Sequence, residues 1–142
     1  MRVTAGVVLL ALALTGCAQP VRIDPPRPQG AAAEGCRALG NVLPQRLDGA
    51  ERAEATPRSP YTAVWGEAEI ALRCGVPRPA AMKPTDTVSE FNGVAWFADP
   101  AKPLLFTAIG REAYVEVTIS REHTPGDVLV ELAGPITKAI PD

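Results

Sequence analysis

Two stretches of this chain alternate apolar with polar or small residues. In one, Ile70, Leu72 and Cys74 oppose Ala71 and Arg73; in the other, Val115, Val117 and Ile119 oppose Tyr114, Glu116 and Thr118. Successive side chains on a strand point to opposite faces, so each stretch has one apolar face. A chain that carries them has to build a sheet with one face apolar and the other at least partly wet, and then cover the apolar face.

The remaining elements follow from that requirement. Tyr61 to Trp65, Val94 to Phe97 and Leu104 to Ile109 are further strand-like runs, which with Glu69 to Val76 and Ala113 to Ser120 make five. Gly66-Glu67-Ala68 turns between the first two runs, and Gly110-Arg111-Glu112 suits a tight hairpin between the last two. Pro77, Pro79 and Pro84 mark a loop, and Asn92-Gly93 leads into the strand at Val94.

Ahead of the strands, Cys36, Leu39, Val42, Leu43 and Leu47 recur at helical spacing, with Pro44 kinking or ending the helix. Behind them, Thr124 is placed to cap a second helix, Pro125 suits its first position and Asp127 favours the positive end of its dipole. Val128, Leu129, Leu132, Ile136 and Ile140 line one side of that helix, which Gly134-Pro135 is expected to bend or interrupt. The expected fold is α+β: a mainly antiparallel sheet of about five strands, two helices packed on one face, in the order helix, strands, helix.

The start of the chain has a different character. Arg2 precedes an apolar run from Val3 to Leu14, and Leu14-Thr15-Gly16-Cys17 follows. The run is short of the roughly 20 residues that span a bilayer. A cationic end, a short apolar stretch and small residues before a cysteine describe a lipoprotein signal peptide, cut before Cys17. Residues 1–16 are then removed, lipid such as palmitate is carried on Cys17, and the protein is held on the extracytoplasmic side of the cell membrane. Ala18 to Gly35, with Pro20, Pro25, Pro26 and Pro28 among small and charged residues, is expected to be a solvated tether. Residues 36–142 remain as a single α+β domain.

Loss of Arg2 leaves 13 cations against 16 acids, and no cluster of Lys and Arg stands out along the chain, so neither nucleic acid nor an anionic lipid surface is indicated as a partner. With Cys17 acylated, Cys36 and Cys74 are an even pair in an oxidising compartment and are expected to form a disulfide. Such a bridge closes a loop of 39 residues, which chain entropy values at about 4 kcal/mol.

Cys36, Leu43-Pro44, Trp65-Gly66, Leu72-Arg73-Cys74-Gly75-Val76 and Asn92-Gly93-Val94-Ala95-Trp96 together resemble an uncharacterised lipoprotein family of high-GC Gram-positive bacteria, filed as domain of unknown function 3515. The resemblance covers most of Cys36 to Ile140. It implies a short secreted or lipid-anchored envelope protein with paired cysteines, and no activity. Ala95 stands where members of the family often carry an acidic residue, so a role tied to that position does not transfer.

No catalytic constellation emerges from the residues. His123, the single histidine, stands beside Thr124-Pro125 and is expected to be solvated; Ser59, Ser89 and Ser120 lie outside any recognised nucleophile setting. Zinc held by Cys36, Cys74 and His123 would lack a fourth ligand and the usual paired cysteine spacing, so no metal is expected. Phosphate-binding glycine loops are absent, and no cofactor is expected.

Aromatic residues anchor both cores and interfaces. Phe97 and one tryptophan are assigned to the core, whereas Arg73, Trp96 and Tyr114 form a candidate interaction surface should the aromatics face outward beside the arginine. The expected role is a non-enzymatic envelope module that binds an unknown envelope protein or cell-wall ligand. The alternative is a small envelope hydrolase using paired carboxylates, for which Glu67 with Glu69, or Glu116 with Glu131, are the nominal pairs.

Overall fold

A computed structural model describes residues 16–142. The expected signal peptide lies outside the described residues apart from Gly16. In chain order the elements are β1 (Val21–Arg22), α1 (Gly30–Val42), β2 (Arg46–Leu47), β3 (Ala50–Ala53), β4 (Ala55–Thr56), β5 (Thr62–Trp65), β6 (Ile70–Val76), β7 (Ser89–Phe91), β8 (Val94–Ala98), β9 (Leu105–Ile109), β10 (Tyr114–Ile119) and α2 (Pro125–Ala139).

Eight of the strands form one antiparallel sheet in the order β2-β3-β5-β6-β10-β9-β8-β7. At its centre β6 pairs with β10, so that Ile70, Leu72 and Cys74 stand opposite Ile119, Val117 and Val115. Ala108 of β9 and Trp96 of β8 continue that face. The residues that bury it come from both helices: Cys36 and Leu39 of α1, and Val128, Leu129, Leu132 and Ile136 of α2, all in one apolar core. Cys36 and Cys74 are joined by a disulfide within this core, with a Cα–Cα separation of 5.5 Å. The cross-link ties α1 to the middle of the sheet.

The fold is thus α+β with two helices and a large antiparallel sheet, but the sheet has eight strands rather than five. The five expected strands are β5, β6, β8, β9 and β10. Those added, β2, β3 and β7, lie toward the two edges, are two to four residues long and are rich in Ala, Arg, Glu and Ser, which carry little strand propensity. They form because of their turns. Asp48-Gly49 and Asn92-Gly93 each separate a directly paired couple, Leu47 with Ala50 and Phe91 with Val94. All four turn residues have positive φ, between 44° and 83°, the conformation of a two-residue type I′ hairpin.

The order is also not helix, strands, helix, because β1 precedes α1. Residues 18–35, expected to be a solvated tether, contain both β1 and the first turns of α1. The Ala31-Ala32-Ala33 run supplies strong helix formers, so α1 starts at Gly30 and ends at Val42, just before Pro44. Leu47, expected on the helix, instead fills the core from β2. The second helix runs through Pro135 without interruption to Ala139.

Upstream of α1, the chain is a strap. β1 pairs in parallel with β4, the amide of Val21 donating to the Glu54 carbonyl and that of Ile23 to the Thr56 carbonyl. Pro26 is buried, and Pro28 packs on Gly75. Gly75 has φ +88°, and a Cβ there would lie 2.5 Å from the Pro28 Cβ. Glycine is needed here on both counts.

The far end is secured by Arg111, whose side chain is 6% exposed. Its guanidinium donates to the carbonyls of Ile140 (2.8 Å) and Gly93 (3.0 Å) and pairs with the Asp142 carboxylate at 3.0 Å. A buried planar fork of this kind holds three segments at once.

Gly75→Ala should therefore destabilise the fold by about 2 kcal/mol, from the positive φ alone, and should loosen the strap before the sheet. Limited trypsin digestion is expected to cut the variant at Arg22 faster than the parent chain, with denaturant unfolding giving the loss of stability.

Candidate functional site

The sheet face turned away from the helices carries Arg73 and Glu116, paired directly across β6 and β10. The Arg73 Nη1 donates to Glu116 Oε1 at 3.0 Å, and its Nε donates to the Asp24 carbonyl of the strap at 3.1 Å. Arg73 is 37% and Glu116 21% exposed at the side chain, so the pair is open to a ligand while its geometry is set by three elements.

Three adjoining hollows share this pair. One lies beneath the strap, lined by Val21, Ile23, Asp24, Ala71 and Thr118. A second, of about 400 Å³, is bounded by Lys102, Pro103, Leu104, Leu105, Thr118 and Arg121. The third, of about 430 Å³, lies under the loop from Pro77 to Ala81 and reaches Asp99 and Thr107. Together they make a shallow groove of mixed polar and apolar lining, with half-exposed leucines on one wall. The middle hollow holds three cations and one acid, a positive balance that the overall negative charge conceals.

Of the expected interaction residues, Arg73 lies in this groove. Trp96 does not: it stands beside Ala108 on the helix-covered face and is 1% exposed, because β8 turns Phe97 rather than Trp96 to the opposite side. Its indole N–H has no hydrogen-bond partner among the described residues. Tyr114 is half-buried at the Val76 end of β10 and lines none of these three hollows. Lys102 and Arg121 take the place of the aromatics. Nothing in a linear pattern singles them out, as they belong to separate turns that meet only beside Arg73.

Cys17 is exposed and outside any disulfide, four residues before β1. Cys36 and Cys74 are joined to each other, so both thiols are already used. Among the described residues no group of His, Cys, Asp and Glu is arranged to hold a metal ion.

A second polar cluster centres on His123, which is not solvated as expected: its side chain is only 9% exposed. The Nδ1 lies 2.8 Å from Asp48 Oδ2 and the Nε2 lies 2.9 Å from Glu69 Oε2. Ionised carboxylates only accept, so both ring nitrogens donate and the ring is an imidazolium. The hydrogen bond to Glu69 raises the His123 pKa above its ordinary 6.5, burial opposes it, and the hydrogen bond and charge of Asp48 raise it further.

Local backbone places each member. Asp48 stands in the β2–β3 turn, and its amide donates to Glu131 Oε2 of α2 at 3.3 Å. Glu69 folds over Gly66, where a Cβ would come within 2.5 Å of the carboxyl carbon. His123 follows the turn after β10, its amide donating to the Ser120 carbonyl. The cluster therefore clamps the β2–β3 turn, the β5–β6 turn and the approach to α2. Its partners are 75 and 54 residues from His123 in sequence, beyond the range of any local pattern.

With both nitrogens donating, the closed clamp offers no basic lone pair. The nominal carboxylate pairs are not brought face to face either. Glu69 is turned to His123 while Glu67 lies in the exposed β5–β6 turn; Glu116 is on the open sheet face, and Glu131 on α2 approaches Asp48.

Because the folded-state pKa of His123 is raised, the clamp contributes fully to stability below about pH 6.5, and that contribution is lost as pH rises through the folded-state value. Urea unfolding from pH 5.5 to 9 is expected to show the parent chain weakening across this window. His123→Gln, facing the same Asp48, Glu69 and Glu131, should be less stable at the acid end and lack this component of the slope. Parallel curves for the two proteins would remove the imidazolium assignment.

A family model described as a protein of unknown function (DUF3515) matches residues 1–142, the whole chain. No curated protein and no solved structure matches it.

Proposed function

This chain belongs to the family of unknown function DUF3515, and from that premise we propose that it is a lipoprotein held on the extracytoplasmic side of the membrane through Cys17. In this reading the open sheet face around Arg73 and Glu116 is a binding surface for an envelope protein or cell-wall ligand, and the protein is not an enzyme.

The observation that carries the reading is the position of the strap. Cys17 is exposed four residues before β1, and β1 lines the same face as the Arg73–Glu116 pair. A lipid on Cys17 would anchor the domain beside its groove rather than at the end of a long leash. The signal sequence before Cys17 and the disulfide in the core both fit an exported, oxidising setting. Hydrolysis by paired carboxylates has less support, since Asp48 and Glu69 share one imidazolium and Glu116 is paired with Arg73.

Cys17→Ser should abolish the acyl mass on the mature protein and either release it or leave the precursor uncut, as read by intact mass and membrane fractionation. Retained acyl mass would end the anchoring proposal. Photocrosslinkers placed at Ala101 and Thr118, both exposed on the walls of the groove, should recover one reproducible envelope partner, and Arg73→Ala should weaken that capture. Random neighbours at both positions, unaffected by the substitution, would end the binding proposal.

A further inference from the structure

We infer that the middle hollow of the open sheet face, bounded by Arg73, Lys102, Arg121 and Leu104-Leu105, receives the phosphate headgroup of an anionic glycerophospholipid from the membrane to which the chain is tied. The inference rests on the proposed anchoring at Cys17 and makes the membrane itself a specific ligand of that face.

The argument starts with reach. Val21 is fixed to β4 by its amide, and it lines a hollow that shares Arg73, Glu116 and Thr118 with the middle one. It lies four residue steps from Cys17, a span of at most about 14 Å even when fully extended. The face around the strap is therefore held against the lipid surface. Charge attraction is screened within about 8 Å at physiological ionic strength, and the short span keeps these cations within that range, adding to whatever headgroup contact the hollow makes on its own.

Charge and shape then favour a lipid anion. Lys102 and Arg121 line the hollow, and neither side chain has a hydrogen-bond or ion-pair partner among the described residues, unlike Arg73, whose pairing with Glu116 and the Asp24 carbonyl holds it in place. Among the residues that line this hollow Glu116 is the one acid, while Asp99 at its edge already accepts the backbone amides of Ala101 and Lys102. An uncompensated, partly preorganised group of cations suits phosphate oxygens. Leu104 and Leu105, half-exposed along the rim, offer apolar surface to the glycerol and upper acyl region, which a free phosphate cannot use. At about 400 Å³ the hollow accommodates a headgroup.

The test uses the chain from residue 17 with Cys17→Ser, which keeps every described element and is independent of acylation. It is mixed with vesicles of phosphatidylcholine, alone or with added phosphatidylglycerol, and sedimented. Binding should require phosphatidylglycerol, weaken roughly tenfold in Lys102→Gln/Arg121→Gln, and be unchanged in Lys138→Gln, which removes an exposed cation from α2. Short-chain phosphatidylglycerol should shift the amide resonances of Leu104 and Leu105. Equal binding to both kinds of vesicle, or equal loss in the α2 variant, would overturn the inference. Inorganic phosphate competing as well as the lipid headgroup would overturn it in favour of a free-anion site. If the soluble chain binds as expected while cellular Cys17 carries no acyl mass, the headgroup site stands and the anchoring proposal alone fails.

Discussion

The apolar face shared by β6 and β10 has to be removed from water, and most of the molecule is arranged to do that. Ile70, Leu72 and Cys74 beside Val115, Val117 and Ile119 form a surface that neither strand can bury alone, so α1 and α2 lie across it. The Cys36–Cys74 disulfide fastens the first of these helices to the centre of the sheet. It limits the freedom of the unfolded chain over a long loop, and places a covalent link in the same core as Leu39, Leu72 and Leu132. A small domain with modest core volume gains much from such a staple.

Covering one face leaves the other to set the chemistry. There the strap crosses toward Gly75 and Arg73 reaches the Asp24 carbonyl, while β1 is held against this face by its own two-stranded pairing with β4. Cys17 thereby stands only four residues before a strand that lines the groove. The overall acidity of the chain conceals this arrangement, since Arg73, Lys102 and Arg121 converge from a strand and two turns with Glu116 as the one acid among them.

The His123 clamp belongs to the edge of the fold rather than to the groove. By joining the turns that hold Asp48 and Glu69, it secures the short β2–β3 hairpin, whose two-residue and four-residue strands bury little apolar area of their own. The stabilisation is electrostatic and depends on the proton carried by the ring, so the same residues that hold this edge in acid release part of their grip as pH rises.

The amino-acid sequence by itself determined the central strands, the two amphipathic helices, the cysteine pairing and the character of the residues around Cys17. These are properties of local periodicity and residue chemistry: alternation of Ile70, Leu72 and Cys74, and helical spacing from Val128 to Ile136. The edge strands were less legible, because Ala, Arg and Glu have no strand preference and pair only once a neighbour is present. Tertiary structure alone decided that Trp96 is buried and Phe97 faces the other way, that residues 21–28 form a strap, and that His123 meets two carboxylates. Each depends on which surface a residue finds after the chain has folded back over tens of residues, and a periodicity of two or three and a half residues holds no information about that distance.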